Sequence, residues 1–154
     1  KKKMKDEFKF FLRNLNDTRN LAKYLSKEVE KKAFISLKGD LGAGKTTFAR
    51  YFVNAFSKKE IKVLSPTFPL VQVYEFSGFN IWHFDLYRLK KESEIFDLDY
   101  ELALDDIILM EWPDRIKNYL PNDRIEITFN EDKNFNKYID LRTFGNIKLK
   151  RKFK

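Results

Sequence analysis

The segment Gly39–Thr46 restricts the possible folds of this chain more than any other part of its sequence. It reads Gly-Asp-Leu-Gly-Ala-Gly-Lys-Thr, which fits the pattern G-x-x-x-x-G-K-[ST] at every position. A short apolar run, Ala33–Leu37, precedes it and predicts a buried strand, and Thr46–Phe56 follows with apolar residues at helical spacing. A strand, a glycine-rich turn and a helix in this order form a phosphate-binding loop, or P-loop, which predicts an α/β fold.

The chemistry of this loop comes from its backbone and from two side chains. Glycines allow the chain to turn tightly, so that successive N–H groups point inward at phosphate oxygens, and the helix adds its positive N-terminal end. Lys45 can reach the β- and γ-phosphates of a nucleotide, and the Thr46 hydroxyl is placed to ligate Mg²⁺. The sequence therefore predicts that ATP and Mg²⁺ bind at Gly39, Asp40, Leu41, Gly42, Ala43, Gly44, Lys45 and Thr46.

Composition excludes several classes of protein. The 154 residues are 43% hydrophobic and include 16 Phe, which is enough for a folded core and predicts a single domain over residues 1–154. The absence of cysteine excludes disulfides and thiolate metal sites, and the single histidine, His83, cannot form a multi-histidine site. No apolar run approaches the ~18 residues that span a membrane, so we expect a cytoplasmic protein without membrane contact.

The net charge of +8 raises the question of a nucleic-acid partner. Basic residues concentrate in Lys1–Lys5 and Lys148–Lys154, at the two ends, where charge runs are usually frayed and solvated. We therefore expect basic tails at both ends and abundant lysine on solvated faces, and a weak contact with RNA is left open.

The rest of the chain alternates between helical and strand patterns. Asn16 or Asp17 is placed to cap a helix whose apolar residues keep helical spacing up to Val29. Strand patterns occur in six further segments: Lys62–Leu64, Leu70–Phe76, Phe79–Leu86, Ile107–Met110, Arg124–Phe129 and Tyr138–Phe144. The second and third of these predict a hairpin, the fourth a strand buried on both faces, and the last two an antiparallel pair.

Helical turns are predicted within Lys91–Leu104 and from Pro113 to about Leu120, since proline favours the first position of a helix. Together with the strands, these elements predict a P-loop NTPase-like, three-layer α/β fold. Its central sheet is expected to be mixed, with parallel and antiparallel strands.

A P-loop needs acidic partners at the ends of neighbouring strands, and two segments offer them. The two-residue period of a strand places His83 and Asp85 on one face. Glu111 follows four apolar residues, which is the usual form of a Walker B strand, and from there it can bind Mg²⁺ through water or orient an attacking water. The alternative roles are a salt bridge from Asp85 to Arg88 and a helix-start charge for Glu111 beside Pro113.

A third polar segment, Ser65-Pro66-Thr67, follows a predicted strand. P-loop proteins often place a loop that senses the γ-phosphate at this point, and the Thr67 hydroxyl can reach metal or phosphate from there. The tripeptide by itself indicates only a turn.

Four motifs occur in one order along the chain. They are Gly39–Phe48, Ser65–Phe68, His83–Leu89 and Glu111-Trp112-Pro113. Together they resemble the motifs of the TsaE family, also known as YjeE, over about residues 18–142. The His-x-Asp-Leu-Tyr-Arg and Glu-Trp-Pro stretches are far more specific to that family than the P-loop is.

The resemblance implies an activity and its partners. TsaE is the bacterial ATPase of tRNA threonylcarbamoyladenosine (t6A) synthesis. It works with TsaB and TsaD, which transfer a threonylcarbamoyl group to adenosine 37 of tRNAs that read ANN codons, so tRNA is an indirect partner through the complex. Hydrolysis of ATP is expected to be slow in the isolated protein and to support turnover of the TsaB–TsaD complex.

The resemblance also implies roles for individual residues. Lys45 and Thr46 would hold the phosphates and Mg²⁺, with Glu111 as a second residue at the metal. Asp85 would be the catalytic or metal-relay carboxylate, and Thr67 a residue of the switch loop. The implied nucleotide-binding set thus adds Thr47 and Thr67 to the P-loop, and the implied catalytic set is Lys45, Asp85 and Glu111. By family position Thr18 would lie near adenine and Trp112 beside the site.

The sequence departs from the family pattern at three places, all of them outside the P-loop. Pro69 stands where a hydroxyl residue is more common, and the loop between Phe56 and Ile61 lacks a glycine. Near the end of the chain Asn136-Lys137 replaces Gly-Arg, so the arginine that could contact a base or phosphate is missing.

Three other functions can be built on a P-loop in a chain of this size. A small metabolite kinase would need a lid, for which only Arg88–Glu94 is available, and a basic RNA-binding module would carry a vestigial P-loop. The third, a regulatory GTPase, is excluded, because Asn136-Lys137-Tyr138-Ile139-Asp140 has its aspartate one position too late for the guanine motif.

Overall fold

Residues 3–153 are the part of the chain that the computed structural model describes, and they contain seven strands and three α-helices. In chain order the elements are β1 (Met4–Phe11), α1 (Leu15–Val29), β2 (Ala33–Lys38), α2 (Lys45–Asn54), β3 (Val71–Phe76), β4 (Phe79–Asp85), α3 (Tyr100–Ala103), β5 (Ile107–Glu111), β6 (Arg124–Glu131) and β7 (Lys137–Phe144). Two 3₁₀ helices, Glu92–Leu98 and Pro113–Tyr119, lie before α3 and after β5. None of the described helices is both long and apolar enough to cross a membrane.

The strands form one mixed sheet in the order β1-β7-β6-β2-β5-β4-β3. The four central strands, β6, β2, β5 and β4, are parallel, and the strands at both edges are antiparallel to their neighbours. The register pairs Leu37 of β2 with Glu111 of β5, and Glu111 with Asp85 of β4. The carboxyl ends of three neighbouring strands therefore meet, and the predicted mixed α/β sheet is confirmed.

The sheet separates two hydrophobic cores, because alternate residues of a strand point to opposite faces. On one face Leu109 belongs to a core with Leu25 of α1 and Phe52 of α2. On the other face Ile108 belongs to a core with Tyr100 of α3 and with residues of both 3₁₀ helices. Helices thus cover both sides of the central strands, which confirms the three-layer fold.

Most of the predicted elements are present, but the start of α1 differs. The helix is capped by Asn14, whose side-chain oxygen accepts a hydrogen bond from the Asp17 N–H at 3.0 Å, and not by Asn16 or Asp17. The Asp17 carboxylate reaches back to accept from the Arg13 N–H at 2.8 Å. The two side chains thus accept hydrogen bonds from the N–H groups of Asp17 and Arg13, on either side of the cap residue. This reciprocal pattern resembles a capping box, and it explains why Asn14 is the cap.

Lys62–Leu64 is not a strand. Just before it, the Ile61 N–H donates to the Asn54 side-chain oxygen at 2.6 Å, and the Asn54 amide donates to the Ile61 carbonyl at 3.0 Å. A side chain of α2 therefore takes the place of a neighbouring strand. Val63 is still buried in the core, which explains why the segment looks like a strand in the sequence.

The N-terminal basic tail is a strand over its described part. Lys1 and Lys2 lie outside the described residues, whereas Met4 and Lys5 belong to β1, which pairs antiparallel with β7. The prediction of a frayed tail at 1–5 is wrong there, because the hydrogen-bonding edge of β7 orders the lysine-rich segment.

The C-terminal basic segment also packs against the fold. The Tyr24 hydroxyl donates to the Arg151 carbonyl, and the Phe153 ring meets the Phe10 ring edge-on at 4.7 Å between centroids. The predicted tail at 148–154 is therefore anchored over 148–153, while Lys154 lies outside the described residues. Apolar side chains between the lysines account for this, since Leu149 and Phe153 pack against the core.

Phe153→Ala tests this anchoring. Loss of the ring contacts with Phe10 and Tyr24 should lower the free energy of unfolding by about 1–3 kcal/mol, as partial loss of an aromatic core contact does. The exposed neighbour supplies the control, because Lys152→Ala should change stability by less than about 0.5 kcal/mol. Urea denaturation of both variants gives the comparison, and equal midpoints would mean that the segment is not anchored.

Candidate functional site

A cavity of about 530 Å³ opens at the carboxyl ends of the central strands. Its walls come from the P-loop, from the segment that joins β1 to α1, and from the ends of β4, β5 and β6. The lining residues are Leu12, Arg13, Asn14, Leu15, Thr18, Leu41, Gly42, Ala43, Gly44, Lys45, Thr46, Thr47, Ser65, Thr67, Asp85, Glu111, Trp112, Phe129 and Lys137. In open α/β sheets this edge is where ligands bind.

The P-loop joins β2 to α2 in a conformation that depends on glycine. Gly39 and Gly44 have φ angles of 142° and 114°, a region that residues with a Cβ rarely adopt. Gly44 caps α2 without any side-chain hydrogen bond, and the first N–H groups of a helix have no partner within it. Lys45, Thr46 and Thr47, the residues that begin α2, line the cavity. The N-terminal end of a helix favours anions.

Lys45 is buried at the start of α2, although it carries a charge. Its ammonium group donates to the Gly39 carbonyl and to the Asp40 carbonyl, the second at 3.1 Å, and it lies 4.2 Å from the centroid of the Trp112 ring. Burial lowers the pKa of Lys45, and the negative charges of Glu111, Asp85 and Asp40 oppose that change. A cation so poorly solvated gains strongly from an anion in the cavity.

Glu111 ends β5 beside the start of α2. The Thr46 hydroxyl donates to its Oε2 at 3.1 Å and lies 3.4 Å from its Oε1. Nε2 of the buried His83 lies 2.7 Å from the same Oε2. The hydroxyl and carboxylate that the sequence predicts as metal ligands are thus already in contact.

Asp85 ends β4 and faces the same cavity. One carboxylate oxygen accepts from the Tyr87 N–H at 3.0 Å and the other from the Thr67 hydroxyl at 3.2 Å, and Thr67 also contacts the Ser65 hydroxyl at 2.8 Å. Burial raises the pKa of Asp85, the nearby Glu111 adds to the rise, and the hydrogen bonds from Tyr87 and Thr67 oppose it. A carboxylate in such surroundings accepts a proton more readily than an exposed one.

The structure brings together nearly all of the residues singled out in the sequence. Leu41 to Thr47, Thr67, Asp85 and Glu111 line one cavity, while Gly39 and Asp40 contact Lys45 through their carbonyl oxygens. Trp112 and Thr18, which only the family resemblance placed nearby, line it too.

Several residues of the cavity wall were not predicted from the sequence. Leu12, Arg13, Asn14 and Leu15 line the cavity because β1, which was not predicted, ends beside it. Phe129 of β6 and Lys137 of β7 complete this side, so Lys137 stands close to where the absent family arginine was expected. The short alternation Phe8-Lys9-Phe10 was the one available signal of that strand.

This combination of a P-loop after a central parallel strand and buried acids at the ends of the next two strands defines an α/β protein of the P-loop class. The family model described as TsaE, threonylcarbamoyl adenosine biosynthesis protein, matches residues 12–139. The chain belongs to the TsaE family. The matched region contains every residue that lines the cavity, from Leu12 to Lys137.

Individual relatives agree with the family match. A protein of Rickettsia felis named tRNA threonylcarbamoyladenosine biosynthesis protein TsaE is 44% identical over 117 residues, which are 75% of this chain and 68% of the relative. The protein of that name in Bacillus subtilis is 32% identical over 133 residues, 86% of this chain and 84% of the relative. Among solved structures, the crystal structure of YdiB from the same organism superposes with a TM-score of 0.74 at 26% identity and covers 94% of this chain and 89% of its own.

Gly39→Ala and Gly42→Ala form a matched pair that tests the P-loop geometry. A Cβ at Gly39 would lie 2.9 Å from the Phe129 carbonyl oxygen, whereas one at Gly42 would meet no described atom within 4 Å. Both positions have positive φ, so Gly42→Ala should cost about 1 kcal/mol and Gly39→Ala about 2–4 kcal/mol. Chemical denaturation measures both, and similar losses would contradict this account of Gly39.

Asp85→Asn should stabilise the fold. Because the pKa of Asp85 is raised on folding, the folded chain binds the proton of this carboxyl group more tightly than the unfolded chain does. The free energy of unfolding therefore falls as the pH rises through the range in which Asp85 loses its proton. At neutral pH the ionised carboxylate therefore costs stability, and the isosteric amide removes that cost. Thermal unfolding at pH 7 should show a higher melting temperature, by about 2–4 °C for each kcal/mol relieved. The gain should shrink at acidic pH, and a constant difference between the proteins would argue against ionisation as its cause.

Proposed function

We propose that this chain binds Mg-ATP in the cavity and hydrolyses it as a subunit of the machinery that makes t6A at position 37 of tRNA. The observation that carries the proposal is the meeting of three things in one cavity: the amide cradle at the start of α2, the Thr46–Glu111 contact and the buried Asp85. The volume of about 530 Å³ lies within the range of small-molecule and cofactor sites.

Phosphate recognition falls to the P-loop. The N–H groups of Lys45, Thr46 and Thr47 supply donors at the helix start, and the Lys45 ammonium supplies a poorly solvated cation. In this proposal Lys45 exchanges its contacts with the Gly39 and Asp40 carbonyls for phosphate oxygens. The purine and ribose would then lie along the wall formed by Leu12–Leu15, Thr18 and Lys137.

The oxygen atoms of Thr46 and Glu111 suit Mg²⁺, which is usually held by one or two protein oxygens together with phosphates and water. Their contact at 3.1 Å places a hydroxyl and a carboxylate side by side at the end of the P-loop. When bound, the ion neutralises charge that develops on the phosphates. Glu111 therefore serves the metal, and its removal should affect hydrolysis more than nucleotide binding.

Asp85 is the proposed general base. The hydrogen bonds from Tyr87 and Thr67 orient its carboxylate toward the cavity, and its raised pKa suits it to take a proton from water. Thr67 belongs to the irregular segment between α2 and β3, so it links this carboxylate to a loop that can respond to the γ-phosphate. The alternative salt bridge from Asp85 to Arg88 is not among the ion pairs of the described residues. The Arg88 guanidinium lies instead 4.7 Å from the centroid of the Phe68 ring.

The place of this activity in t6A synthesis rests on the family match and on the names of the relatives. We propose TsaB and TsaD as protein partners, tRNA as an indirect partner through them, and the cytoplasm as the location. We also propose that residues 1–154 form one P-loop ATPase domain, since the described strands share a single sheet. Hydrolysis should be slow until TsaB and TsaD are present.

Lys45→Ala and Glu111→Ala should separate binding from hydrolysis. Calorimetry with Mg-ATP should show that Lys45→Ala weakens binding about 100-fold, the effect of losing charged hydrogen bonds to buried phosphates. Glu111→Ala should lower the hydrolysis rate at least about 10-fold while binding changes less. Lys38→Ala is the control, because Lys38 precedes the P-loop but forms a surface ion pair with Asp114.

Two results would contradict the proposal. One is an absence of any heat of binding with Mg-ATP and Mg-ADP in the parental chain. The other is hydrolysis by Glu111→Ala at the parental rate, which would remove Glu111 from the metal. Addition of purified TsaB and TsaD to the parental chain should raise the ATPase rate, and an unchanged rate would exclude the proposed partners.

A further inference from the structure

His83 is a fully buried polar residue of β4, and its side chain contacts Glu111, a residue of the site. Its Nε2 lies 2.7 Å from Glu111 Oε2. Burying an imidazole in an apolar core is unfavourable unless its polar atoms find partners. Here the partner of the imidazole is the Glu111 carboxylate, which lines the cavity. The buried ring of His83 therefore contacts a residue of the site.

The contact decides which ring nitrogen carries a proton. A carboxylate oxygen is a hydrogen-bond acceptor, so we infer that Nε2 of His83 is the donor in its contact with Glu111. Nδ1 of the same ring is buried and has no hydrogen-bond partner among residues 3–153. Within the described chain, the ring therefore directs its hydrogen bonding to Glu111.

The two oxygens of Glu111 are not equivalent. Oε2 lies 2.7 Å from Nε2 of His83 and accepts from the Thr46 hydroxyl at 3.1 Å, whereas Oε1 lies 3.4 Å from that hydroxyl. Two donors, one from a strand and one from a helix, fix one oxygen and, with it, the plane of the carboxylate. Magnesium tolerates little departure from octahedral geometry, so the orientation of such a carboxylate matters for its affinity.

We propose that His83 is a positioning residue, which holds the Glu111 carboxylate in the orientation that serves Thr46 and the metal. This inference rests on the proposed Mg-ATP function of the site. Groups that orient metal ligands typically contribute about 10–100-fold to metal affinity or activity, which sets the size of the expected effect. A ring that merely filled space on β4 would have no such effect.

The parental chain allows a direct test, because it contains one histidine. In ¹⁵N-labelled protein the imidazole signals belong to His83 without further assignment. We expect a protonated Nε2, and we expect its signal to move further on addition of Mg-ADP than of ADP with EDTA. A proton on Nδ1 alone, or an equal response to both additions, would overturn the inference.

Two substitutions of similar polarity separate positioning from packing. His83→Gln can place an amide N–H near the position of Nε2, whereas the shorter His83→Asn reaches only the position of Nδ1. At fixed ADP, the Mg²⁺ concentration for half-maximal binding should rise about 10–100-fold in His83→Asn and stay within about threefold of the parental value in His83→Gln. Affinity for ADP in EDTA should be the same in both.

A merely structural role predicts a different pattern. Both variants would then lose thermal stability, and their Mg²⁺ requirement would either rise equally or stay at the parental value. Each of these two outcomes for the Mg²⁺ requirement would overturn the inference. If His83→Asn does not fold, the imidazole spectrum of the parental chain still decides the question.

The proposed function and this inference fail in distinguishable ways. A parental chain that binds neither Mg-ADP nor Mg-ATP would remove the function itself. A parental chain that binds both, while His83→Asn matches it in Mg²⁺ requirement, would remove only the role of His83.

Discussion

The site depends on the parallel pairing of β2, β5 and β4. Because strands in parallel register end at the same edge, the pairs Leu37–Glu111 and Glu111–Asp85 bring two acids beside the P-loop that follows β2. A slip of one residue would turn these acids to the other face of the sheet. The apolar residues that precede Glu111, such as Ile108 and Leu109, bury both faces of β5 and thereby hold the register.

The same edge carries an electrostatic cost. Lys45, His83, Asp85 and Glu111 are all buried, and burial shifts the pKa of Lys45 downward and that of Asp85 upward. Groups held so far from water interact strongly with any charge that enters the cavity. The hydrogen bonds among Thr46, Glu111 and His83 limit this cost, and they also restrict the directions in which the carboxylate can point. Burying these groups lowers the free energy of unfolding, but it keeps them positioned to interact with a charged ligand.

Sequence reasoning succeeded where the pattern was local. The P-loop, the hairpin β3–β4 and the buried strand β5 each follow from residues adjacent in the chain, and their bounds agree within a few residues. It failed at β1 and at the segment 148–153, because these are ordered by distant partners: β7 for Met4–Phe11, and Phe10 and Tyr24 for Phe153. It failed at Lys62–Leu64 because Asn54 replaces a strand as the hydrogen-bonding partner of the backbone beside it.

For the site, the P-loop motif, the two carboxylates and the motifs of the family could all be read from the linear sequence. Each motif is a short run of residues that can be recognised without distant contacts. Three further relations became visible only in the folded chain: His83 and Thr46 share an oxygen of Glu111, Thr67 contacts Asp85, and Leu12–Leu15 closes one wall of the cavity. These relations join strands and loops far apart in the chain, and distances between such side chains arise only when the sheet is assembled.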